Sequence, residues 1–373
     1  MKFKFIAPVV ALTFTALISM NSAQANTNIC DNSIQKICKD TEAQMKERNA
    51  YVAKLKQEIA AEASQKAAPR IEEMKKKVKS YRFIKRMIET FKIKNQELMR
   101  SAKLRIGDIE SVVTDNGNVD KIKGYMYQAI DESNFDQATK SAFKSTVKSI
   151  VVGNFGDFIE KTDLENNVIA QLLSNACGSD GLVDNAFATT LNEQKYVLIC
   201  PGFLITLKQA ASDEVRFNTI LQAISHEMGH HIDNGKFGNE LYADYLNCLA
   251  TNHSNRFNKT KDDEKFCKKN EKDPSLCQKK VTESHGGELV ADQWGILVTA
   301  LHAKAQRYSF SDAEQMLTDS WVKLCGSGDE GIHPSGDFRI GTLMPTNPSI
   351  NEVLACGQKE LTVPACTFAG EAK

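Results

Sequence analysis

Beyond its first 25 positions this 373-residue sequence has no long apolar run, and it carries no Cys-x-x-Cys pair, no net charge, no internal repeat and no low-complexity tract. Each absence narrows what the chain can be. No later stretch approaches the roughly 18 apolar residues needed to cross a bilayer, so stable membrane insertion is not expected. A zinc site built on thiolates lacks its usual paired-cysteine signature. With 47 Lys and Arg against 47 Asp and Glu, charge names no partner, and no nucleic-acid binding is expected. The 348 residues from 26 to 373 are enough for a sizeable core, as one large domain or two lobes.

What is present begins with an export pattern. Lys2 and Lys4 precede the apolar run from Phe5 to Ile18, and small residues end in Ala23-Gln24-Ala25, the arrangement of a cleaved signal peptide over residues 1–25. The mature chain is therefore expected outside the cytoplasm, periplasmic or extracellular. Cys30 lies five residues past the predicted cleavage point without the small-residue context of a lipid-attachment site, so no lipid anchor is expected. All ten cysteines follow the signal, and an even number in an oxidising compartment predicts up to five disulfides.

Charge is unevenly placed. Residues 39 to 105 hold 19 Lys and Arg against 9 Asp and Glu, and this basic block also has helical periodicity. Ile71, Met74, Val78, Tyr81, Ile84, Ile88 and Phe91 recur at three- and four-residue steps, the stripe of one amphipathic helix. Pro69 is expected to mark a helix start. A solvated helix face accounts for the basic residues better than a membrane or cell-wall contact. Residues 108 to 176 read as shorter helices broken by Asp115-Asn116-Gly117-Asn118 and by Gly153-Asn154-Phe155-Gly156. A hairpin follows, from Leu182 to Thr189, through an Asn192-Glu193-Gln194 turn, to Tyr196–Cys200, and helical periodicity resumes from Asp213 to Ile232. The fold class is α+β, predominantly helical.

Inside that last helix, residues 226 to 230 read His-Glu-Met-Gly-His. Two histidines four apart project from one helix face and can share an ion, while Glu227 points toward the same pocket. Neutral imidazoles suit zinc, and a catalytic zinc keeps three protein ligands and leaves a fourth position for water. The third ligand is expected to be Glu288, in Glu288-Leu289-Val290-Ala291-Asp292, 58 residues beyond His230. Asp292, one turn further on, is placed to accept the other ring proton of a ligating histidine. His231 is rotated about 100° away from the metal and is read as structural. A hydrogen-bonding role is read for His285, and a surface or packing role for His253 and His302.

With these residues in hand, the chain resembles the neprilysin and endothelin-converting-enzyme family of zinc metallopeptidases, as a short form without their large second domain. Asn185-Ala186-Phe187 resembles the family's edge strand, which implies that Asn185 and Ala186 bind substrate backbone as an added strand. His333-Pro334-Ser335-Gly336-Asp337-Phe338-Arg339-Ile340 resembles its C-terminal His-to-Arg segment. By that resemblance His333 stabilises the oxyanion, Arg339 hydrogen-bonds the substrate backbone on the primed side, and Asp233 supports the zinc helix. The resemblance also implies disulfides from Cys30 to Cys356, from Cys38 to Cys325, and from Cys366 to Cys267 or Cys277, with the remaining pairs open. Departures are Ala188, where the family has an aromatic, and Cys200-Pro201-Gly202, which only approximates the segment after the edge strand.

The implied architecture is a signal peptide at 1–25, a disulfide-tethered N-terminal helical region at 26–175 and a thermolysin-like zincin catalytic domain at 176–373, with one zinc ion. The implied activity is endopeptidase cleavage of oligopeptides or flexible protein segments. Catalysis would rest on Glu227, with His333 and Asp292 assisting. Two rivals remain. Membrane-associated zinc peptidases share HExxH but generally carry several membrane spans. An exported, non-catalytic scaffold would have no need to retain Glu227 beside intact ligands.

Overall fold

The computed structural model describes residues 29–30, 32–77, 83–106, 116–155, 158, 176–178, 181–207, 212–232, 240–327, 332–354 and 366–368. They form helices α1 (Glu42–Lys77), α2 (Phe83–Ile106), α3 (Asn116–Glu132) and α4 (Gln137–Ser149), then strand β1 (Val151–Asn154) and the hairpin β2 (Ala186–Leu191) and β3 (Gln194–Ile199). After these come α5 (Pro201–Leu207), α6 (Asp213–Ile232), α7 (Ala243–His253), α8 (Lys261–Lys269), α9 (Pro274–Gln306), α10 (Phe310–Trp321) and α11 (Pro348–Val353). The chain is thus predominantly helical, with one small mixed sheet in the order β1-β3-β2.

Two central helices organise the rest. The hydroxyl of Ser212 accepts from the Val215 N–H at 3.2 Å to begin α6, and Asp213 and Glu214 in its first turn complement the positive end of the helix dipole. Helix α9 starts with Pro274 behind Asp273, whose carboxylate accepts from the Ser275 and Leu276 N–H groups; it ends at Arg307, in left-handed conformation with φ 55°. Val215, Ile220, Leu221, Ile224, Met228 and Ile232 of α6 are buried, and most of α9 from Val281 to Ala303 is buried too. Helices apolar on most of their circumference belong inside a protein. These two make the most extensive helix–helix contact among the described residues.

Glycine sets how close they come. A Cβ added at Gly229 would lie 2.8 Å from the Ala291 Cα, and one at Gly295 would lie 3.3 Å from the Gln222 carbonyl oxygen. Gly229 sits inside the His-Glu-Met-Gly-His run and Ala291 between Glu288 and Asp292, so this approach is what carries the second helix to the first. Helices α3 and α4 pack on the same pair, so described residues from both sides of position 175 share one buried cluster.

The hairpin forms where expected, with a tighter turn. Asn192 (φ 48°) and Glu193 (φ 66°) both adopt positive φ, as a two-residue I′ turn demands, and Gln194 already pairs with Leu191. Strand β1 runs parallel to β3, with Val151 opposite Tyr196.

Several expectations need correcting. Pro69 lies inside α1 and starts no helix. Helices α1 and α2 are antiparallel: Arg70 bonds Glu97 and Gln96, while Arg105 bonds Glu58 and Glu62. These cross-links, with Ile59, Ala63 and Ala67 buried, hold α1 helical through the proline. The stripe from Ile71 to Phe91 therefore spans two helices, and Ile88 and Phe91 pack against Phe155, Phe158 and Leu198. Val78 and Tyr81 lie outside the described residues. Asn116-Gly117-Asn118 opens α3, and the stretch read as helical between 108 and 176 contains β1.

Of the disulfides, Cys38–Cys325 is as expected. Cys366 pairs with Cys248, and Cys267 pairs with Cys277. The α8-to-α9 turn folds these last two together ten residues apart, leaving Cys248 on α7 for the C-terminal segment. Cys177 pairs with Cys200. Cys356 and Asp233 lie outside the described residues. No described helix is long and apolar enough to cross a membrane.

Candidate metal centre

Helix α6 presents His226 and His230 one turn apart, with ring centroids 4.9 Å apart and rings nearly perpendicular at 89°. Donor atoms of His226, Glu227 and His230 all lie within 4.8 Å of one another. From α9, Glu288 reaches between the imidazoles: Oε2 is 3.3 Å from His226 Nε2 and Oε1 is 3.4 Å from His230 Nε2. Two donors about 2.0–2.1 Å from a tetrahedral ion stand about 3.4 Å apart, so the Glu288 carboxylate stands at ligand spacing from each imidazole. Glu288 Oε2 is buried without a hydrogen-bond partner, which fits an atom meant for an ion. The residues present can thus hold a metal.

Glu227 is set differently. Its Oε1 stands 4.0 Å from His226 Nε2, and its carboxylate accepts from the Ala188 N–H. That amide points away from β3, and among the described residues no strand pairs with that edge of β2, so the edge faces the centre.

Behind the ligands is a second layer. Asp292 Oδ1 is 3.0 Å from His226 Nδ1, close but off the ring N–H axis. Arg339 Nε donates to Asp292 Oδ2 at 2.7 Å and Nη2 donates to Oδ1, a two-pronged pair of the kind that fixes both partners' orientation. The family resemblance implies that Arg339 bonds substrate backbone; here two of its nitrogens are engaged by Asp292. His333, half exposed, places Nε2 3.4 Å from Glu288 Oε1 at the rim.

Electrostatics without an ion follow from this crowding. Burial opposes protonation of His226, but Asp292 and Glu288 outweigh it and raise its pKa to about 10. Burial and the neighbouring His226 lower His230 to about 4. Burial pushes Glu288 up, yet the surrounding histidines win and bring it to about 2. Glu227, raised to about 7 chiefly by burial, stands apart from the other carboxylates. Asp292 is held ionised against burial by Arg339 and His226.

The structure therefore brings together His226, Glu227, His230, Glu288, Asp292, His333 and Arg339. Asn185 and Ala186 behave otherwise. Asn185 donates its side-chain amide to the Ala176 carbonyl at 3.1 Å and accepts from the Cys200 N–H through its own carbonyl, so it braces the lead into β2. Ala186 is buried opposite Ile199. The edge-strand group that meets the centre is the Ala188 N–H, and an amide carries no side-chain signal in a sequence.

The other histidines are structural. His231 Nε2 bonds the Tyr196 carbonyl at 2.8 Å, tying α6 to β3. His285 bonds the Val281 carbonyl and stacks on Phe257. His253 and His302 are buried among aromatic rings. Comparisons with protein-family models, with curated proteins and with solved structures found no match.

Proposed function

We propose that this chain is an exported zinc-dependent endopeptidase of the neprilysin and endothelin-converting-enzyme type, with a thermolysin-like catalytic arrangement. The observation that carries the reading is the convergence of one carboxylate, Glu288, on two imidazoles from another helix, with a second carboxylate, Glu227, beside them and not between them. Two histidines and a glutamate form a donor set typical of catalytic zinc. Bound there, zinc supplies Lewis acidity, lowering the pKa of a coordinated water to about 7 and polarising a carbonyl.

The protein's own groups do the rest. A peptide laid along the free edge of β2 pairs its backbone with the strand. Glu227, whose pKa near 7 suits a general base, takes a proton from the attacking water and delivers it to the leaving amine. His333 donates to the oxyanion developing on the scissile carbonyl, a contact worth about 3–4 kcal/mol when made only in the transition state. Asp292, held by Arg339, orients His226. Export is supported by the N-terminal pattern and by disulfides among the described cysteines.

The test is metal analysis of the purified chain with digestion of a peptide library, with and without chelator. One zinc per chain and chelator-sensitive cleavage are expected. A zinc-loaded chain that cleaves nothing would favour the scaffold reading, and a chain that takes up no metal would end the proposal.

A further inference from the structure

One charged group beside the centre takes no part in holding a metal. In Trp321-Val322-Lys323-Leu324-Cys325 the lysine is the lone charge, and both Trp321 and Val322 are buried. Its turn is fixed from two directions. Cys325 is bonded to Cys38 at the start of the N-terminal helices. The Leu324 carbonyl lies so near Gly336 that a Cβ there would stand 1.7 Å from it, which locks the turn against the segment carrying His333 and Arg339. Across from that segment, the Lys323 ammonium lies 4.9 Å from the ring centroid of Phe203. Phe203 belongs to α5, and the first turn of α5 is tied by a Gly202 N–H bond to the Gly181 carbonyl, just ahead of β2.

The ammonium thus lies against the Phe203 ring of α5, on a turn packed against the His333-to-Arg339 segment. The charged groups that face it are Asp184, on the lead into β2, together with Arg339 and Glu227. Asp184 is exposed, Arg339 is already matched by Asp292, and no carboxylate of the described residues reaches ion-pair distance of Lys323. Burial lowers its pKa to about 8, which leaves it mostly cationic at neutral pH. Lys323 is partly buried and no described carboxylate pairs with it, so a ligand that brings an anion gains from the unmatched charge.

We propose that Lys323 receives a carboxylate of the bound peptide and is a specificity-determining residue that favours acidic substrates. This rests on the peptidase reading of the same cleft. The carboxylate can come from a Glu or Asp side chain or from a chain terminus.

Binding separates this inference from catalysis. The zinc-loaded Glu227→Gln chain is titrated with fluorescein-labelled octapeptides of Ala and Gly carrying one Glu at successive positions, with their Gln counterparts, each as C-terminal amide and as free acid. A Glu peptide at one position, or the free acids as a group, should bind about tenfold tighter than its neutral counterpart. An advantage among amides assigns the carboxylate to a side chain, and one confined to free acids assigns it to the terminus; both support the proposal. Adding Lys323→Met should reduce the advantage to within about twofold at an unchanged melting temperature, while Lys323→Arg should keep it. Equal affinity for charged and neutral peptides, or no binding of either, overturns the proposal, as does an advantage that survives Lys323→Met. Digestion of the same peptides by the unsubstituted chain reads the peptidase reading separately. A carboxylate preference without cleavage would sink that reading alone, and cleavage without the preference would sink only the role of Lys323.

Discussion

Two carboxylates of similar chemistry lie within reach of His226, and their surroundings give them different work. Glu288 sits between two imidazoles and is held ionised, whereas burial keeps the Glu227 pKa near 7. Glu227→Gln keeps the shape and removes the proposed base. It should retain stoichiometric zinc and slow peptide cleavage by about 10²–10⁴-fold, as metal analysis and kcat/KM on one peptide would show. Asp292→Asn weakens the group behind His226 and also unbalances Arg339. Its apparent zinc affinity, measured by competition with a chelator, should fall about 10–100-fold; unchanged affinity would mean that Asp292 does not position the ligand.

Among the secondary-structure elements, the contact that matters is between α6 and α9. In the proposed zinc site neither helix would hold the ion alone, since one would supply two imidazoles and the other the closing carboxylate. Gly229 lets the backbones meet at this point. Gly229→Ala puts a methyl 2.8 Å from the Ala291 Cα, a backbone atom that cannot swing aside. The helices must separate locally, at a cost of about 1–3 kcal/mol. Chemical denaturation should show that loss together with weaker zinc binding, and an alanine that left both unchanged would show that the close approach is not required. The His231 bond to Tyr196 and the Ala188 amide on Glu227 then align the sheet with the same helix, so the free strand edge and the centre are parts of one construction.

Taken whole, the molecule is closed by distant covalent ties and by a core that shelters titratable groups. Cys38–Cys325 joins residues 287 apart, and such a loop greatly restricts the unfolded chain. Replacing both cysteines by serine should lower unfolding free energy by about 2–5 kcal/mol and loosen the turn that carries Lys323. His302, buried between Tyr125 and Phe217, has its pKa lowered from 6.5 to about 4 by burial and, secondarily, by Lys121. Between those pH values the unfolded chain binds more protons than the folded one, so stability rises with pH across the window and is lost as pH falls through it. His302→Phe should remove up to about 3 kcal/mol of that dependence. Denaturation at pH 4.5 and pH 7 would check it, and an unchanged difference between the two would exclude His302 as a source.

The sequence by itself determined the relations that a single turn of chain can encode. His226 and His230 share a face because four residues nearly complete a helical turn, Glu288 and Asp292 share one for the same reason, and the polar run Asn192-Glu193-Gln194 marks where the hairpin turns. Which distant pieces meet was decided only in three dimensions. Arg339 falls on Asp292, Cys366 meets Cys248, Asn185 turns toward Ala176, and Pro69 stays within a helix held from outside. The physical reason is one of range: periodicity is a property of neighbours along the chain, whereas a partner beyond a turn or two is selected by how whole elements pack, and periodicity does not carry that distance.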